Sequence, residues 1–300
     1  MRIAIIGAGS IGLLFSSYIN SDFDVTLYTR TKEQAEEINH FGLTLKKGVQ
    51  ITKIAACAVP FTEWDGTEDL SIITVKQYQL DSIISKLNDL PVTTNNLLFL
   101  QNGMGHLKLL NTLKANNIFV GSVEHGAYRE NPYTVSHNGD GVTNVSVVRG
   151  DSAELIQFAS SAPSNFPIVI KEDYYRMLTS KLIVNAVINP LTALLHVKNG
   201  DLIRNPFYLQ TVEKLFAEIC QILNLENREE NLKKIKNICD LTADNRSSML
   251  KDLEAGRSTE VDAILGFLLE EAIRKDMEAP IVASLSCLIK GKEYARGDYL

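Results

Sequence analysis

Three polar side chains stand at helical spacing within an otherwise apolar segment in the second half of the chain. Lys181, Asn185 and Asn189 occupy positions i, i+4 and i+8, and every residue between them is apolar. On a helix they form one narrow polar stripe, while the remaining faces are apolar and expected to be buried. Burying an ammonium or an amide without partners is costly. The stripe therefore predicts contact with a polar ligand in a cleft, or pairing with polar groups of neighbouring helices.

Pro190 directly follows this stripe. Proline lacks the backbone N–H and crowds the carbonyl four residues earlier, so we expect the helix to kink or end there. Such a kink would expose backbone groups that a ligand could use.

Two further polar clusters follow, at residues 245–250 and 259–262. Each has a structural alternative to a role in binding. Asn245 or Ser247 could cap the next helix, and Thr259 with Asp262 resembles a capping box. Glu260 would also sit favourably near a helix N-terminus.

A glycine motif stands near the start of the chain. It follows an apolar run and opens a helical pattern, and it reads G-x-G-x-x-G over Gly7, Ala8, Gly9, Ser10, Ile11 and Gly12. In this context the first glycine permits a tight turn, the second lets a pyrophosphate approach the backbone, and the third allows close packing of helix on sheet. The motif predicts a dinucleotide site; the alternative is a glycine-rich turn without a ligand.

The end of the second strand bears on the choice of dinucleotide. NAD enzymes usually place a carboxylate there, but this strand ends with Arg30, and Lys32 lies nearby. A guanidinium can bind a 2′-phosphate with two hydrogen bonds. The sequence therefore favours NADP over NAD, unless Arg30 is a solvated loop residue and Glu33 supplies the missing acid.

Strands and helices alternate in the first half, which predicts an α/β fold with an N-terminal Rossmann-type, doubly wound parallel sheet. Strands are expected at residues 2–6, 24–28, 70–75, 97–100 and 118–121, and helices at 10–20, 32–39, 80–87 and 107–114. Turn residues between 121 and 149 indicate antiparallel strands.

The two prolines of segment 161–167 suggest a domain boundary. We expect residues 1–168 to form an NADP-binding domain and 169–300 an all-helical, substrate-binding and catalytic domain. Helices are predicted at residues 173–196, 206–223, 229–241, 261–272 and 280–289.

The composition narrows the class of protein. The net charge is −6 with no evident basic face, which argues against a nucleic-acid partner. Four scattered cysteines and five scattered histidines indicate no metal site and fit a reducing cytoplasm. Residues 3–21 are uncharged like a signal peptide, but three glycines interrupt them, and no other stretch is expected to span a membrane.

Seven segments, in this order, resemble the ketopantoate reductase (2-dehydropantoate 2-reductase) family across nearly the whole chain. They are GAGSIG (7–12), Arg30, VKQYQ (75–79), QNGMG (101–105), KLIVNAVINPLTALL (181–195), NRSSMLKD (245–252) and STEVD (258–262). The last three are the most specific.

The resemblance implies a role for each matched residue. Lys181 would be the catalytic lysine that gives a proton to the substrate carbonyl oxygen, and Glu260 would position and tune that site. The substrate's carboxylate and hydroxyl groups would be bound by Asn185, Asn189, Asn245 and Ser248. Lys76 and Asn102 would lie near the nicotinamide and its ribose, and Arg30 would contact the 2′-phosphate of NADPH. The small-molecule 2-oxo acid would bind in a cleft between the domains.

Two departures from the family pattern leave alternatives open. Thr179 stands where the family often has tryptophan, and segment 124–137 (EHGAYRENPYTVSH) matches only loosely. The chain could thus be a related NADPH-dependent reductase of another 2-oxo acid. A catalytically silent NADP-binding sensor is the other alternative, although it would predict the loss of Lys181 or Glu260. A homodimer through the helical domain is a further expectation.

Overall fold

A computed structural model describes residues 1–90 and 96–295 and divides the chain into two compact units. The first unit comprises residues 1–101 and 106–178, and the second comprises 102–105 and everything from Thr179 onward. The division falls ten residues after the predicted boundary between 168 and 169. It does so because residues 168–170 still form a strand of the first unit's sheet.

Twelve strands are present in the described part of the first unit. They are β1 (Arg2–Ile6), β2 (Asp24–Thr29), β3 (Leu43–Lys47), β4 (Gln50–Ile54), β5 (Cys57–Pro60), β6 (Leu70–Ile73), β7 (Asn96–Phe99), β8 (Asn117–Val123), β9 (Gly126–Asn131), β10 (Thr134–Gly139), β11 (Thr143–Arg149) and β12 (Ile168–Ile170). Eight of them form one sheet in the order β12-β11-β8-β7-β6-β1-β2-β5. The six strands from β8 to β5 in this order all run parallel.

This parallel core confirms the predicted Rossmann-type fold. The strands β1 and β6 are almost entirely buried, as expected for apolar strands covered on both faces. The helices of this unit are α1 (Ser10–Ile19), α2 (Lys32–Phe41), α3 (Leu80–Asp89), α4 (Leu107–Leu110) and α5 (Ala153–Ser161), with 3₁₀ turns at Phe61–Glu63 and Gln77–Gln79. The helix predicted over 107–114 is shorter than expected.

The antiparallel strands expected after residue 121 are present. Strand β11 pairs antiparallel with β8 on the main sheet, and β9 pairs antiparallel with β10. A second, four-stranded sheet in the order β4-β3-β10-β9 was not predicted. Its strand β4 is largely exposed and lacks the apolar alternation by which a strand is recognised in sequence.

The second unit has helices as the regular secondary structure of its described residues, and loops connect them. Its helices are α6 (Tyr174–Leu195), whose first residues belong to the first unit, α7 (Asp201–Arg204), α8 (Pro206–Leu223), α9 (Arg228–Leu241), α10 (Ser248–Glu254), α11 (Phe267–Arg274) and α12 (Pro280–Tyr294). A π-helical stretch at Asp262–Gly266 precedes α11. The all-helical character predicted for the C-terminal part is confirmed.

Helix α6 does not end at Pro190 but continues five residues beyond it, to Leu195. In the part of the helix after Pro190, the Thr192 hydroxyl donates a 2.7 Å hydrogen bond to the backbone carbonyl of Ile188, one turn earlier. The helix ends before His196, which adopts a left-handed conformation with φ of 55°.

The helix α6 is also long and apolar enough to cross a membrane by length and composition alone, with a mean hydropathy of 1.4. The expectation that no stretch other than residues 3–21 would be long and apolar enough to span a membrane was therefore wrong by these two criteria. Within the protein, 67% of its most apolar window is buried, which is the pattern of a core helix.

Candidate active site

The glycine motif forms the turn between β1 and α1. Gly7 adopts φ of 111°, and its amide donates to the carbonyl of Tyr28 on the neighbouring strand β2. The Thr74 hydroxyl donates to the carbonyl of Gly7 at 2.7 Å. A Cβ added at Gly12 would collide with that same carbonyl oxygen, whereas a Cβ at Gly9 would meet no atom within 4 Å. The turn is thus tight on its inner side and open at Gly9, next to the first turn of α1.

This geometry fits the pyrophosphate of a dinucleotide. The residue before α1 is Gly9, and no acidic side chain lies in the first turn of this helix. The amides at a helix N-terminus attract anions, and the missing side chain at Gly9 leaves them accessible. The structure therefore supports the predicted placement of residues 7–12 at a nucleotide-binding turn.

Arg30 lies immediately after β2, at the carboxyl end of the strand, and is exposed. The next residue, Thr31, caps α2 by accepting a hydrogen bond from the amide of Gln34. Glu33, the alternative acid, lies in the first turn of α2 and is also exposed.

The chain passes from the first unit to the second within the segment that follows β7, after Gln101. Gln101 is buried, and its side-chain amide donates to the carbonyls of Ile73 and Val75 at 3.0 and 2.9 Å. Lys76 starts the 3₁₀ turn at residues 77–79, and its own amide donates to the Gln79 side chain. These bonds fix the ends of β6 and β7, where Lys76 and Asn102 were predicted to lie on the cofactor side.

Asn102 and Glu260 belong to two different motifs and meet in the second unit. The Asn102 side-chain amide donates to Oε2 of Glu260 at 2.8 Å, and Glu260 is only 7% exposed. The amide of Met104 donates to the carbonyl of Ala263, which ties the two segments together once more. Two side chains that the sequence placed 158 positions apart are therefore direct partners.

A second carboxylate holds the segment that carries Glu260. Glu293 of α12 is 4% exposed and accepts a 2.6 Å hydrogen bond from the backbone amide of Thr259. The Thr259 hydroxyl accepts from the amide of Val261, and the Asp262 carboxylate pairs with Lys290. The capping box considered for Thr259 and Asp262 does not form, because Glu293 takes the amide that Asp262 would have bound.

The polar stripe lies on α6 as predicted. Asn189 is buried, whereas Lys181 and Asn185 are partly buried. Across residues 1–90 and 96–295, the side chains of Asn185 and Asn189 make no hydrogen bond to the protein. The alternative in which these two amides pair with polar groups of neighbouring helices is therefore not realised in the described chain.

The cluster at residues 245–250 begins α10. The helix cap is Ser247, whose hydroxyl accepts from the amide of Leu250 and lies 2.8 Å from the hydroxyl oxygen of Thr192 on α6, to which it can donate. Asn245 and Ser248 flank this cap, and both are exposed. Capping thus occupies Ser247 and leaves Asn245 and Ser248, the two residues predicted to bind substrate, at the surface.

Three residues in contact with these segments were missed in the sequence. Gln34 and Arg129 contact the carbonyl of Ala8, and Glu293 supports Thr259. Each acts as a single polar side chain from a distant element, so neither periodicity nor spacing could reveal it.

A nucleotide-type glycine turn on a parallel sheet, followed by a helical unit with a lysine, a buried acid and several amides, is the arrangement of NAD(P)-dependent oxidoreductases. Two family models match the chain: "Ketopantoate reductase PanE/ApbA" over residues 3–150, and "Ketopantoate reductase PanE/ApbA C terminal" over residues 173–293. The chain therefore belongs to the ketopantoate reductase family.

Individual relatives agree with this assignment. The chain is 45% identical to the 2-dehydropantoate 2-reductase of Bacillus subtilis (strain 168) over 98% of both chains. The crystal structure of the probable 2-dehydropantoate 2-reductase from Bacillus subtilis superposes with a TM-score of 0.89 at 44% identity, covering 97% of this chain and 100% of that one.

A D-mandelate dehydrogenase in complex with NADH and anilino(oxo)acetate gives the same TM-score of 0.89 at 22% identity, covering 99% of each chain. At this identity the similarity extends to the fold alone.

Proposed function

We propose that this protein is an NADPH-dependent 2-dehydropantoate 2-reductase. It would reduce 2-dehydropantoate (ketopantoate) to (R)-pantoate, a step in pantothenate and coenzyme A biosynthesis. The observation that carries the proposal is the 45% identity to the Bacillus subtilis enzyme over 98% of both chains, in a chain that contains Lys181 and Glu260.

The proposed role of Lys181 follows from the charge that the reaction creates. Bound NADPH would supply a hydride to the carbonyl carbon, and negative charge would then grow on the carbonyl oxygen. The Lys181 ammonium would stabilise this charge and transfer a proton to the oxygen, which completes the alcohol. The resulting neutral amine would regain its proton from solvent before the next turnover.

The other polar residues of the helical unit would hold the substrate. The amides of Asn185 and Asn189 have unused donors and acceptors, which suits recognition of a carboxylate and a hydroxyl group. Asn245 and Ser248 would complete this set. Glu260, held by Asn102, would position the reacting groups and tune the charge around Lys181.

The cofactor would bind to the first unit, and the substrate to the second. The open backbone at Gly9 supports a pyrophosphate site, and the exposed Arg30 at the end of β2 supports a preference for the 2′-phosphate of NADPH. Lys76 and Asn102 would lie toward the nicotinamide and its ribose. Replacing Arg30 by alanine should weaken the binding of NADPH by about tenfold or more, since hydrogen bonds to charged groups contribute about 1.5–3 kcal/mol. The binding of NADH should be nearly unaffected.

The proposal is tested by following the loss of NADPH absorbance with ketopantoate as substrate. Wild-type protein is compared with Lys181→Ala and with Lys233→Ala, an exposed lysine of α9 that serves as the control. We expect rapid turnover that prefers NADPH over NADH, falls about 10²- to 10⁴-fold in Lys181→Ala and is unchanged in Lys233→Ala.

Other outcomes would assign a different function. Turnover of another 2-oxo acid in preference to ketopantoate would identify a related reductase. Tight NADPH binding without turnover of any 2-oxo acid would favour the catalytically silent sensor.

A further inference from the structure

The β9–β10 hairpin, which the family resemblance matched only loosely, contacts the glycine turn directly. The backbone amide of Arg129 on β9 donates to the hydroxyl of Ser10 at 3.1 Å, and its guanidinium donates to the carbonyl of Ala8 at 3.2 Å. Gln34 of α2 bridges the same carbonyl of Ala8 and the carbonyl of Pro132, at 3.0 Å each. The four-stranded sheet is therefore attached to the nucleotide-type turn by several hydrogen bonds.

Arg129 brings a full positive charge to a turn that has none of its own. Residues 7–12 carry no charged side chain, and the helix N-terminus contributes only a partial charge. The pyrophosphate of a dinucleotide carries two negative charges. A guanidinium next to the turn would complement them better than the backbone amides alone.

The guanidinium of Arg129 has the capacity for such a contact. It can donate five hydrogen bonds, and within the described residues its only acceptor is the carbonyl of Ala8. The neighbouring acid Glu130 does not neutralise it, because that carboxylate binds Lys46 and the hydroxyl of Ser136. The Arg129 side chain is also exposed and thus accessible to a ligand.

We propose that Arg129 binds the pyrophosphate of the dinucleotide, through donors that remain available while it holds the carbonyl of Ala8. This inference rests on the proposed function, since it assumes that residues 7–12 bind a dinucleotide. It divides the phosphate recognition between two arginines. Arg129 would recognise the pyrophosphate that NADPH and NADH share, and Arg30 would recognise the 2′-phosphate that only NADPH has.

The experiment measures the Kd of NADPH and of NADH, by nucleotide fluorescence, for wild type, Arg129→Gln, Arg129→Lys and Arg30→Gln. We expect Arg129→Gln to raise the Kd of both nucleotides by the same factor, about tenfold. The ratio of the NADPH Kd to the NADH Kd should therefore stay constant. Arg129→Lys keeps the charge and should stay within about threefold of wild type. Arg30→Gln should raise the Kd of NADPH and leave the Kd of NADH unchanged.

A second measurement separates the charge from a merely structural role. The affinity of wild type should fall as salt is added, and in Arg129→Gln this dependence should be shallower because one charge pair is missing. The hydrogen bond from the Arg129 backbone to Ser10 is retained in every variant, and β9 lies at the edge of its sheet. We therefore expect unchanged melting temperatures.

The outcomes distinguish the inference from the function on which it rests. Wild-type protein that binds neither nucleotide would overturn the proposed function, and the inference with it. Tight wild-type binding combined with an unchanged Arg129→Gln affinity would overturn the inference alone. If Arg129→Gln lost affinity for NADPH but not for NADH, the inference would also be overturned, because this result would place Arg129 at the 2′-phosphate.

Discussion

The side-chain amide of Asn102 donates a 2.8 Å hydrogen bond to the Oε2 atom of Glu260, a carboxylate that is almost completely buried. Asn102 follows the central strand β7, whereas Glu260 precedes the π-helical stretch at 262–266. π-Helical turns inside helices occur frequently at functional sites. The bond therefore links the segment that leaves the parallel sheet to the acid proposed to tune the reaction.

Removing this bond should impair catalysis more than folding. We expect Asn102→Ala to lower kcat/KM by about 10- to 100-fold, because Glu260 would lose the hydrogen bond from Asn102 that helps to fix its position, and a small misplacement of a group at a reacting centre can lower the rate about 10²-fold. Asn102→Asp should lower it further, since two adjacent carboxylates repel each other. Steady-state kinetics with NADPH and ketopantoate provide the measurement. If Asn102→Ala retained wild-type kcat/KM, the bond would have no role in the reaction.

The sequence was sufficient to predict the elements with strong patterns. The apolar strands, the glycine turn and the stripe on α6 were all placed within a few residues, because each is a local or periodic signal. Strands β3 to β5 were missed, and the exposed β4 shows why: its side chains give no alternation. The helix predicted over residues 173–196 agrees with α6 (Tyr174–Leu195). Of the two effects considered for Pro190, a kink or an end of the helix, the end does not occur, because packing over the rest of the helix outweighs one missing hydrogen bond.

The candidate site was predicted less completely than the fold. The motif residues were identified through the family resemblance, but their partners were not. The pairing of Asn102 with Glu260, and of Glu293 with Thr259, joins residues that are 158 and 34 positions apart. Such pairs depend on how helices and loops pack, and a single sequence contains no periodic trace of them.

Glu293 should act as a positioning residue for the segment that carries Glu260. We expect Glu293→Ala to leave the amide of Thr259 without its acceptor, to cost about 1–3 kcal/mol of unfolding free energy and to reduce kcat. Glu293→Gln keeps an acceptor oxygen and should therefore retain most of the unfolding free energy and most of the kcat of wild type. Chemical denaturation and steady-state kinetics on the same preparations measure these effects.

The control for this series is Glu278→Ala, an exposed acid that should change the unfolding free energy by less than about 0.5 kcal/mol. Equal losses of activity in Glu293→Ala and Glu293→Gln would show that the hydrogen bond to Thr259 is not what matters.

The glycine turn offers two substitutions of the same size with opposite consequences. In Gly12→Ala the new methyl group would collide with the carbonyl of Gly7, so we expect the protein to lose stability. In Gly9→Ala the methyl group would meet no protein atom within 4 Å, so the melting temperature should stay close to that of wild type. The same methyl group would occupy the space of the pyrophosphate, and the Kd of NADPH should therefore rise about tenfold or more. Thermal melts and nucleotide titrations of both variants test this contrast, and full NADPH affinity in Gly9→Ala would contradict a pyrophosphate site at this turn.

His106 gives the first unit a dependence of stability on pH. It lies at the start of α4 and is completely buried, and neither ring nitrogen has a hydrogen-bond partner among the described residues. Burial lowers the pKa of His106 from 6.5 to about 4, because the charged imidazolium would lose its hydration. Between these two values the unfolded chain binds a proton that the folded protein does not.

Stability should therefore fall as the pH is lowered from about 6.5 to about 4, and below this window the loss from His106 is complete. A difference of this size corresponds to about 3 kcal/mol at most. We expect His106→Leu to flatten this part of the stability profile, because leucine binds no proton. His40→Gln, which replaces an exposed histidine, should keep the wild-type slope. Urea denaturation at a series of pH values measures both, and a His106→Leu profile parallel to that of wild type would show that His106 is already protonated in the folded protein.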